Sequence, residues 1–212
     1  MQQMADAMRH RGPDDEGFMF FNCGRPNEFI AASGKDSPED IKARYEPVEN
    51  FYQLHASLAF GHRRLSVLDL STRGHQPMMD HSQRYAIIFN GEIYNYREIG
   101  AELKDAGYVL DSQTDTEVVL YAYRAWGEEC LKRFNGMFAF AIYDRSRQEL
   151  FMARDRVGIK PLYYTFNKEH LIFASDIKTI IASGLYQPQV NMEGLWHNLS
   201  FNVAPRPMTC FR

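Results

Sequence analysis

Phe89-Asn90-Gly91-Glu92-Ile93-Tyr94-Asn95 stands where a strongly apolar strand, Arg84 to Asn90, gives way to a helix, and the elements around it decide the fold class. Upstream, Leu58 to Leu70 reads as a strand, separated from the next by a loop holding Gly74 and Pro77. Downstream, Met137 to Asp144 and Glu149 to Arg154 form a hairpin across Arg145-Ser146-Arg147-Gln148, and Leu162 to Phe166 and His170 to Ser175 form another, turning at Asn167-Lys168-Glu169. Strands that follow one another this closely pair as antiparallel neighbours rather than as βαβ units. Helices fall between these groups. Tyr96 to Ala106 has Ile99 and Leu103 four apart and ends at Gly107. Thr116 to Trp126 opens on a capping box, Thr114 with Glu117, carries the stripe Val118, Tyr121, Ala122 and Ala125, and closes at Gly127. A shorter helix, Ile177 to Ser183, stops at Gly184. This grouping predicts an α+β fold in layers.

The chain of 212 residues is long enough for one well-packed domain and short for two. Apolar and charged shares of 45% and 24% are those of a soluble globular protein. No apolar run approaches the ~18 residues that span a bilayer, and Met1 to His10 is too polar for a signal peptide, so a cytoplasmic protein without membrane contact is expected. A net charge of -3 gives no footprint for nucleic acid. Three cysteines, Cys23, Cys130 and Cys210, show no CxxC spacing, and the seven histidines are scattered, so neither disulfide, metal site nor cofactor is expected in this chain.

Two stretches depart from the pattern. Asn22 to Gln53 is polar and weakly periodic and reads as a surface insertion of about 22–53, with a helix start at Ser37-Pro38-Glu39-Asp40, serine as N-cap. Asn191 to Phe201 reads as a helix broken by Ala204-Pro205-Arg206-Pro207, so 187–212 is expected to be a stub leading to a further domain.

The residues that carry chemistry are ambiguous when read singly. Asn90-Gly91 suits a turn, but it equally presents a side-chain amide and an unobstructed backbone N–H to one oxygen, as an oxyanion hole requires. Arg63 and Arg64, adjacent on a strand, point to opposite faces, so one faces inward and needs an anion. Asp115 at a helix start is explained by capping and the helix dipole alone.

Read in order, His10-Arg11-Gly12-Pro13-Asp14-Asp15-Glu16-Gly17, Gly61 to Leu70, Asn90 to Asn95, Asp115-Thr116-Glu117-Val118, Gly136-Met137-Phe138-Ala139-Phe140 and Arg154 to Leu162 resemble the class II glutamine amidotransferase domain. The wording of these motifs resembles the asparagine-synthetase (glutamine-hydrolysing) branch, over nearly all of residues 1–186 outside the insertion. The resemblance implies an αββα sandwich of the N-terminal-nucleophile hydrolase type. It also implies hydrolysis of glutamine to glutamate and ammonia by an N-terminal cysteine whose own amino group is the base. Asn90 and Gly91 would then form the oxyanion hole. Arg64 would pair with the glutamine carboxylate beside the strand Leu65, Ser66, Val67 and Leu68, with Glu92 and Asp115 around its ammonium group. ATP and magnesium would be used in a separate synthetase domain that amidates aspartate, and related enzymes act on other acceptors. Oligomeric state is not readable from the residues, a homodimer being one expectation.

One departure stands out. Family members place a strand that begins with the nucleophile shortly before His-Arg-Gly-Pro, whereas this chain starts Met1-Gln2-Gln3. Cys23-Gly24 resembles the family's opening pair, but cleavage there would discard His10 to Gly17. The first strand is therefore expected to be missing and the chain as written to be inactive, with a non-catalytic glutamine-binding or interaction domain as the alternative.

Overall fold

Asp15-Glu16-Gly17-Phe18-Met19-Phe20-Phe21 does not alternate apolar with polar, because the strand it forms, β1 (Asp15–Phe21), is buried on both faces. Met19 and Phe21 enter one core and Phe18 and Phe20 another. β1 runs between β2 (Phe29–Ser33) and β3 (Leu58–Arg64) in an antiparallel sheet of order β2-β1-β3, with Glu16 opposite Arg63. A computed structural model describes residues 1–22, 28–65, 71–205 and 207–211.

The second sheet is also antiparallel, in the order β4 (Met78–Met79), β5 (Tyr85–Ile93), β6 (Gly136–Asp144), β7 (Glu149–Arg154). Its two faces follow the two-residue repeat of a strand. Ile87, Phe89, Phe138 and Phe140 pack with α3 (Tyr96–Asp105) and α4 (Asp115–Trp126), while Ala86 and Ala141 face Phe21 and Phe60 of the first sheet. On the far side of the first sheet, Phe18 and Phe20 are covered by Ala5 of α1 (Gln2–Ala7) and by Val48. Helix, sheet, sheet, helix is thus the order of layers, the α+β arrangement expected. Burial drives it: Leu103, Leu120, Ile87 and Ile142 are fully sealed, each worth about 1.5–3 kcal/mol relative to exposure.

A separate hairpin, β8 (Tyr163–Phe166) and β9 (Leu171–Ala174), leads into α5 (Ile177–Ala182). The last helix, α6 (Met192–Phe201), leaves Trp196 and Leu199 exposed.

Several local readings change. The strand expected at Arg84 to Asn90 continues through Gly91 and Glu92 to Ile93, so Asn90-Gly91 is not a turn. The strand expected over Leu58 to Leu70 ends at Arg64, and its remainder from Ser66 lies outside the described residues. The stretch read as an insertion supplies β2 to the first sheet and buries Ile41 of α2 (Glu39–Arg44). Ser37 does not cap that helix. Its hydroxyl instead donates to the Glu16 carbonyl and accepts from Gly34 N–H at 2.8 Å, fastening this stretch to β1. Gly107 and Gly127 do take positive φ, +89° and +57°, where a side chain is strained.

Candidate functional site

Between the two sheets lies a cavity of about 780 Å³, and the strand repeat dictates which motif residues face it. On β5, Ile88, Asn90 and Glu92 share the face that carries Ala86, which meets the other sheet. On β3, Phe60 faces the inter-sheet core, so His62 and Arg64 point the same way and Arg63 points oppositely. Arg64, Leu65, Asn90, Gly91 and Glu92 all line the cavity.

The two arginines are thereby told apart. Arg63 is the buried one, its side chain 1% exposed, and its anions come from the protein: Glu16 Oε1 at 3.1 Å and Asp36 Oδ2 at 2.7 Å, with Nε donating to the Gly12 carbonyl at 2.9 Å. Burial pushes the Glu16 carboxyl above its ordinary range, partly offset by Arg63. Burial acts in the same direction on Asp36, but the Arg63 hydrogen bond and charge outweigh it and hold that carboxyl below the ordinary range. Arg64, on the cavity face, donates from Nη1 to the Ser71 carbonyl at 2.8 Å.

The amides of β5 also follow a repeat. Phe89 N–H donates to Gln76 Oε1 at 2.6 Å and Ile93 N–H to Asp115 Oδ2 at 3.0 Å, both outside the β5–β6 ladder. Strand amides repeat their direction every second residue, so the Gly91 N–H between these two points along the same edge. Glycine is required here, because a Cβ would lie 2.4 Å from the Met137 carbonyl oxygen. The Asn90 amide projects into the cavity and reaches Ser175 Oγ at 3.4 Å. Two further side chains, unremarked in the sequence, hold this edge: Gln76, whose Nε2 donates to Thr116 Oγ1 at 3.2 Å, and His62, whose Nε2 is 3.1 Å from the Phe89 carbonyl. Burial lowers the His62 pKa to about 4, so the ring is neutral at pH 7 and donates to that carbonyl.

Asp115 sits behind the wall that Thr114 and Thr116 present. Burial raises its pKa, opposed by the Ile93 N–H that it accepts. Leu65 is 60% exposed and follows the end of β3, while Ser66, Val67 and Leu68 lie outside the described residues. Cys23 does too. Cys130 is fully buried against α4 and its thiol is pushed up to about 12, which leaves almost no thiolate at neutral pH. Cys210 is half-buried, 4.0 Å from the Gly194 carbonyl.

Other motif residues build the frame. Asn95 donates to the Arg133 carbonyl at 3.0 Å and accepts from Asn135 N–H at 2.9 Å, fixing the entry to β6. Asp155 accepts from Ile159 and Lys160 N–H at 2.8 and 3.0 Å, and burial, which would raise its pKa, is outweighed by these backbone donors. Arg11 donates to the Ser175 carbonyl at 2.9 Å, joining the start of β1 to the end of β9. The Glu117 carboxylate accepts from Asp111 and Ser112 N–H rather than from Thr114 N–H, the return bond of an ordinary capping box. That leaves the group His81, Asp111 and Glu117, the ligand-type cluster among the described residues, with its carboxylate from Glu117 already engaged.

Residues 36–212 match the glutamine amidotransferase domain family. The chain is 35% identical over 209 residues to asparagine synthetase [glutamine-hydrolyzing] 1 of Bacillus subtilis (strain 168), covering 99% of this chain and 27% of that protein. It is 36% identical over 211 residues to asparagine synthetase 3 of the same organism, covering 99% and 29%. The chain thus spans under a third of the length of these relatives. In fold it is similar to a glutamine phosphoribosylpyrophosphate amidotransferase from B. subtilis, with a TM-score of 0.68 at 19% identity over 89% of this chain and 42% of that one. The sandwich fold is one this neighbour shares, and the chain belongs to the family of class II glutamine amidotransferase domains.

Proposed function

We propose that this chain is the substrate-holding frame of a glutaminase domain in an asparagine-synthetase-type amidotransferase. The observation that carries the reading is the convergence of Arg64 from one sheet with Asn90, Gly91 and Glu92 from the other on a single cavity. Glutamine has a zwitterionic head and a neutral amide tail, so its site needs a cation, an anion and donors for the oxyanion at fixed spacing. Arg64 takes the α-carboxylate, Glu92 the ammonium group with Asp115 behind it, and the Asn90 side-chain amide with the Gly91 N–H holds the tetrahedral oxygen.

The nucleophile in this reading is an N-terminal cysteine. Its thiolate attacks the amide carbon and its amino group carries the proton to the departing ammonia, leaving a γ-glutamyl thioester that water converts to glutamate. Among the described cysteines neither Cys130 nor Cys210 lines the cavity, so neither is placed to act as that nucleophile. Ammonia then serves an ATP- and magnesium-dependent amidation of aspartate in a second domain, a reading supported by the relatives' name, asparagine synthetase [glutamine-hydrolyzing]. The protein works in the cytoplasm.

The test is Asn90→Ala in the intact amidotransferase. Loss of one oxyanion donor lowers glutamine turnover about 100 to 1000-fold, and unchanged turnover sinks the assignment. Arg64→Ala raises the KM for glutamine with little change in kcat, because its contact is equally strong in ground and transition states.

A further inference from the structure

One group of ligand-type side chains lies away from the cavity. His81 comes from the turn between β4 and β5, Asp111 from the connection between α3 and α4, and Glu117 from the first turn of α4. His81 Nε2 is 2.6 Å from Asp111 Oδ2, and one ligand atom from each of the three side chains falls within 4.8 Å of the others. Alone, the His81–Asp111 pair is a surface contact of little worth, since its side chains are 50% and 68% exposed. Glu117 changes its meaning, because a second carboxylate, this one buried, stands beside the same nitrogen. Two carboxylates this close repel each other unless a cation lies between them. Among the described residues no lysine or arginine pairs with either: Arg73 donates to the Asp111 carbonyl at 3.3 Å, and Arg124 is held by Asp80. The three side chains are also already aimed. Glu117 Oε1 accepts the Asp111 N–H at 2.9 Å, and Oε2 accepts the Ser112 N–H and hydroxyl, both at 2.7 Å. These donors orient the carboxylate without exhausting it, because each oxygen accepts two bonds and Oε1 has taken one. Ligating carboxylates are ordinarily held in this way. The turn that carries His81 is tied to α4 twice, by its own N–H on the Tyr121 hydroxyl at 3.2 Å and by Arg124 Nη1 on Asp80 Oδ2 at 2.8 Å.

We propose that His81, Asp111 and Glu117 form a site for a divalent transition metal of the zinc class, with one imidazole nitrogen and two carboxylate oxygens as ligands and water completing the shell. Nitrogen with carboxylate suits zinc, whereas magnesium and calcium take oxygen ligands. Two ligand atoms about 2.1 Å from an ion at the tetrahedral angle stand about 3.4 Å apart, so His81 and Asp111 separate by roughly 0.8 Å on binding. Both side chains are exposed and free to do so, while buried Glu117 keeps its place. The two carboxylates balance the charge of the ion. The bound ion joins the β4–β5 turn to the start of α4, and its role is to brace that helix end. Asp115 and Thr116, just before Glu117, hold the amide edge of β5 through the Ile93 N–H and through Gln76. The ligands come from three segments, Asp111 standing 30 residues after His81 and six before Glu117, so scattered histidines in the sequence give no sign of the site.

The experiment titrates zinc chloride by calorimetry into the purified, chelator-treated chain and reads backbone hydrogen exchange with and without the metal. The expected result is one zinc ion per chain, bound at least 10-fold more weakly by His81→Ala and by Asp111→Asn. Zinc also slows exchange at the Asp111 and Ser112 amides, which bond to Glu117, and an excess of magnesium does not displace it. Both substitutions are at exposed side chains, and an unchanged urea midpoint without metal shows that the variants are folded. Absence of stoichiometric binding overturns the proposal, as does binding that His81→Ala leaves unaltered, which places the zinc on other histidines. Binding that both variants lose while the Asp111 and Ser112 amides exchange as before also overturns the three-ligand site, because Glu117 then takes no part. Displacement by magnesium overturns the assignment to the zinc class.

Discussion

The imidazole of His62 spans the two sheets, its Nε2 lying 3.1 Å from the carbonyl oxygen of Phe89, the residue before Asn90. With Gln76 on the Phe89 N–H, it fixes both backbone groups of the residue that precedes the proposed oxyanion donors. Burial lowers the His62 pKa from 6.5 to about 4. A depressed folded value means that the unfolded chain binds the proton first as pH falls. The stabilisation is fully present above pH 6.5 and is lost towards pH 4, by up to about 3 kcal/mol. Urea titrations between pH 4 and 7 check this, and the loss over that window shrinks in His62→Gln.

Arg63 and Arg64 are adjacent and differ in what their removal costs. Arg63→Ala leaves the Glu16 carboxylate, 2% exposed, without its cation, and destabilises the chain by about 3–5 kcal/mol. Arg64 is only partly buried and faces the cavity, so Arg64→Ala costs less than Arg63→Ala. Equal midpoints for the two variants in urea contradict the assignment of Arg63 to the frame and Arg64 to the cavity.

Much of this frame was legible in the residues, and the limits have physical causes. The hairpin Gly136–Asp144 with Glu149–Arg154 and the helices ending at Gly107 and Gly127 follow from periodicity and turn chemistry within one segment. β1 escaped because Asp15 and Glu16 disguise a strand whose carboxylates are buried against His75 and Arg63. β2 escaped for a similar reason: its burial depends on β1, a partner that a local pattern does not reveal. Adjacent arginines announce opposite faces, but which of them meets a protein carboxylate depends on Asp36, 27 residues away. The resemblance named Asn90, Gly91 and Arg64, whereas His62 and Gln76 needed the fold, since each acts on a backbone group of another strand.

Asp155 is held by the backbone N–H groups of the turn it starts, and its carboxyl lies below the ordinary range although burial alone would raise it. Its contribution is present above the unfolded value of about 3.9 and disappears as pH falls through the lower folded one. Asp155→Asn is therefore destabilising by about 1.5–3 kcal/mol at pH 7, with the difference from the parent narrowing below about pH 4. Denaturant unfolding of both proteins from pH 2 to 7 measures it, and a difference independent of pH contradicts it.

The central claim is that glutamine occupies the inter-sheet cavity between Arg64 and the Asn90–Glu92 segment. Titrating glutamine into the isotope-labelled chain, while following the Asn90 side-chain amide, the Gly91 backbone N–H and the Arg64 Nε–H by NMR, tests it directly. The account predicts saturable shifts of these three signals that Arg64→Ala weakens at least 10-fold, about 1.4 kcal/mol. Glutamine shifts that map elsewhere, or that survive Arg64→Ala unchanged, contradict it.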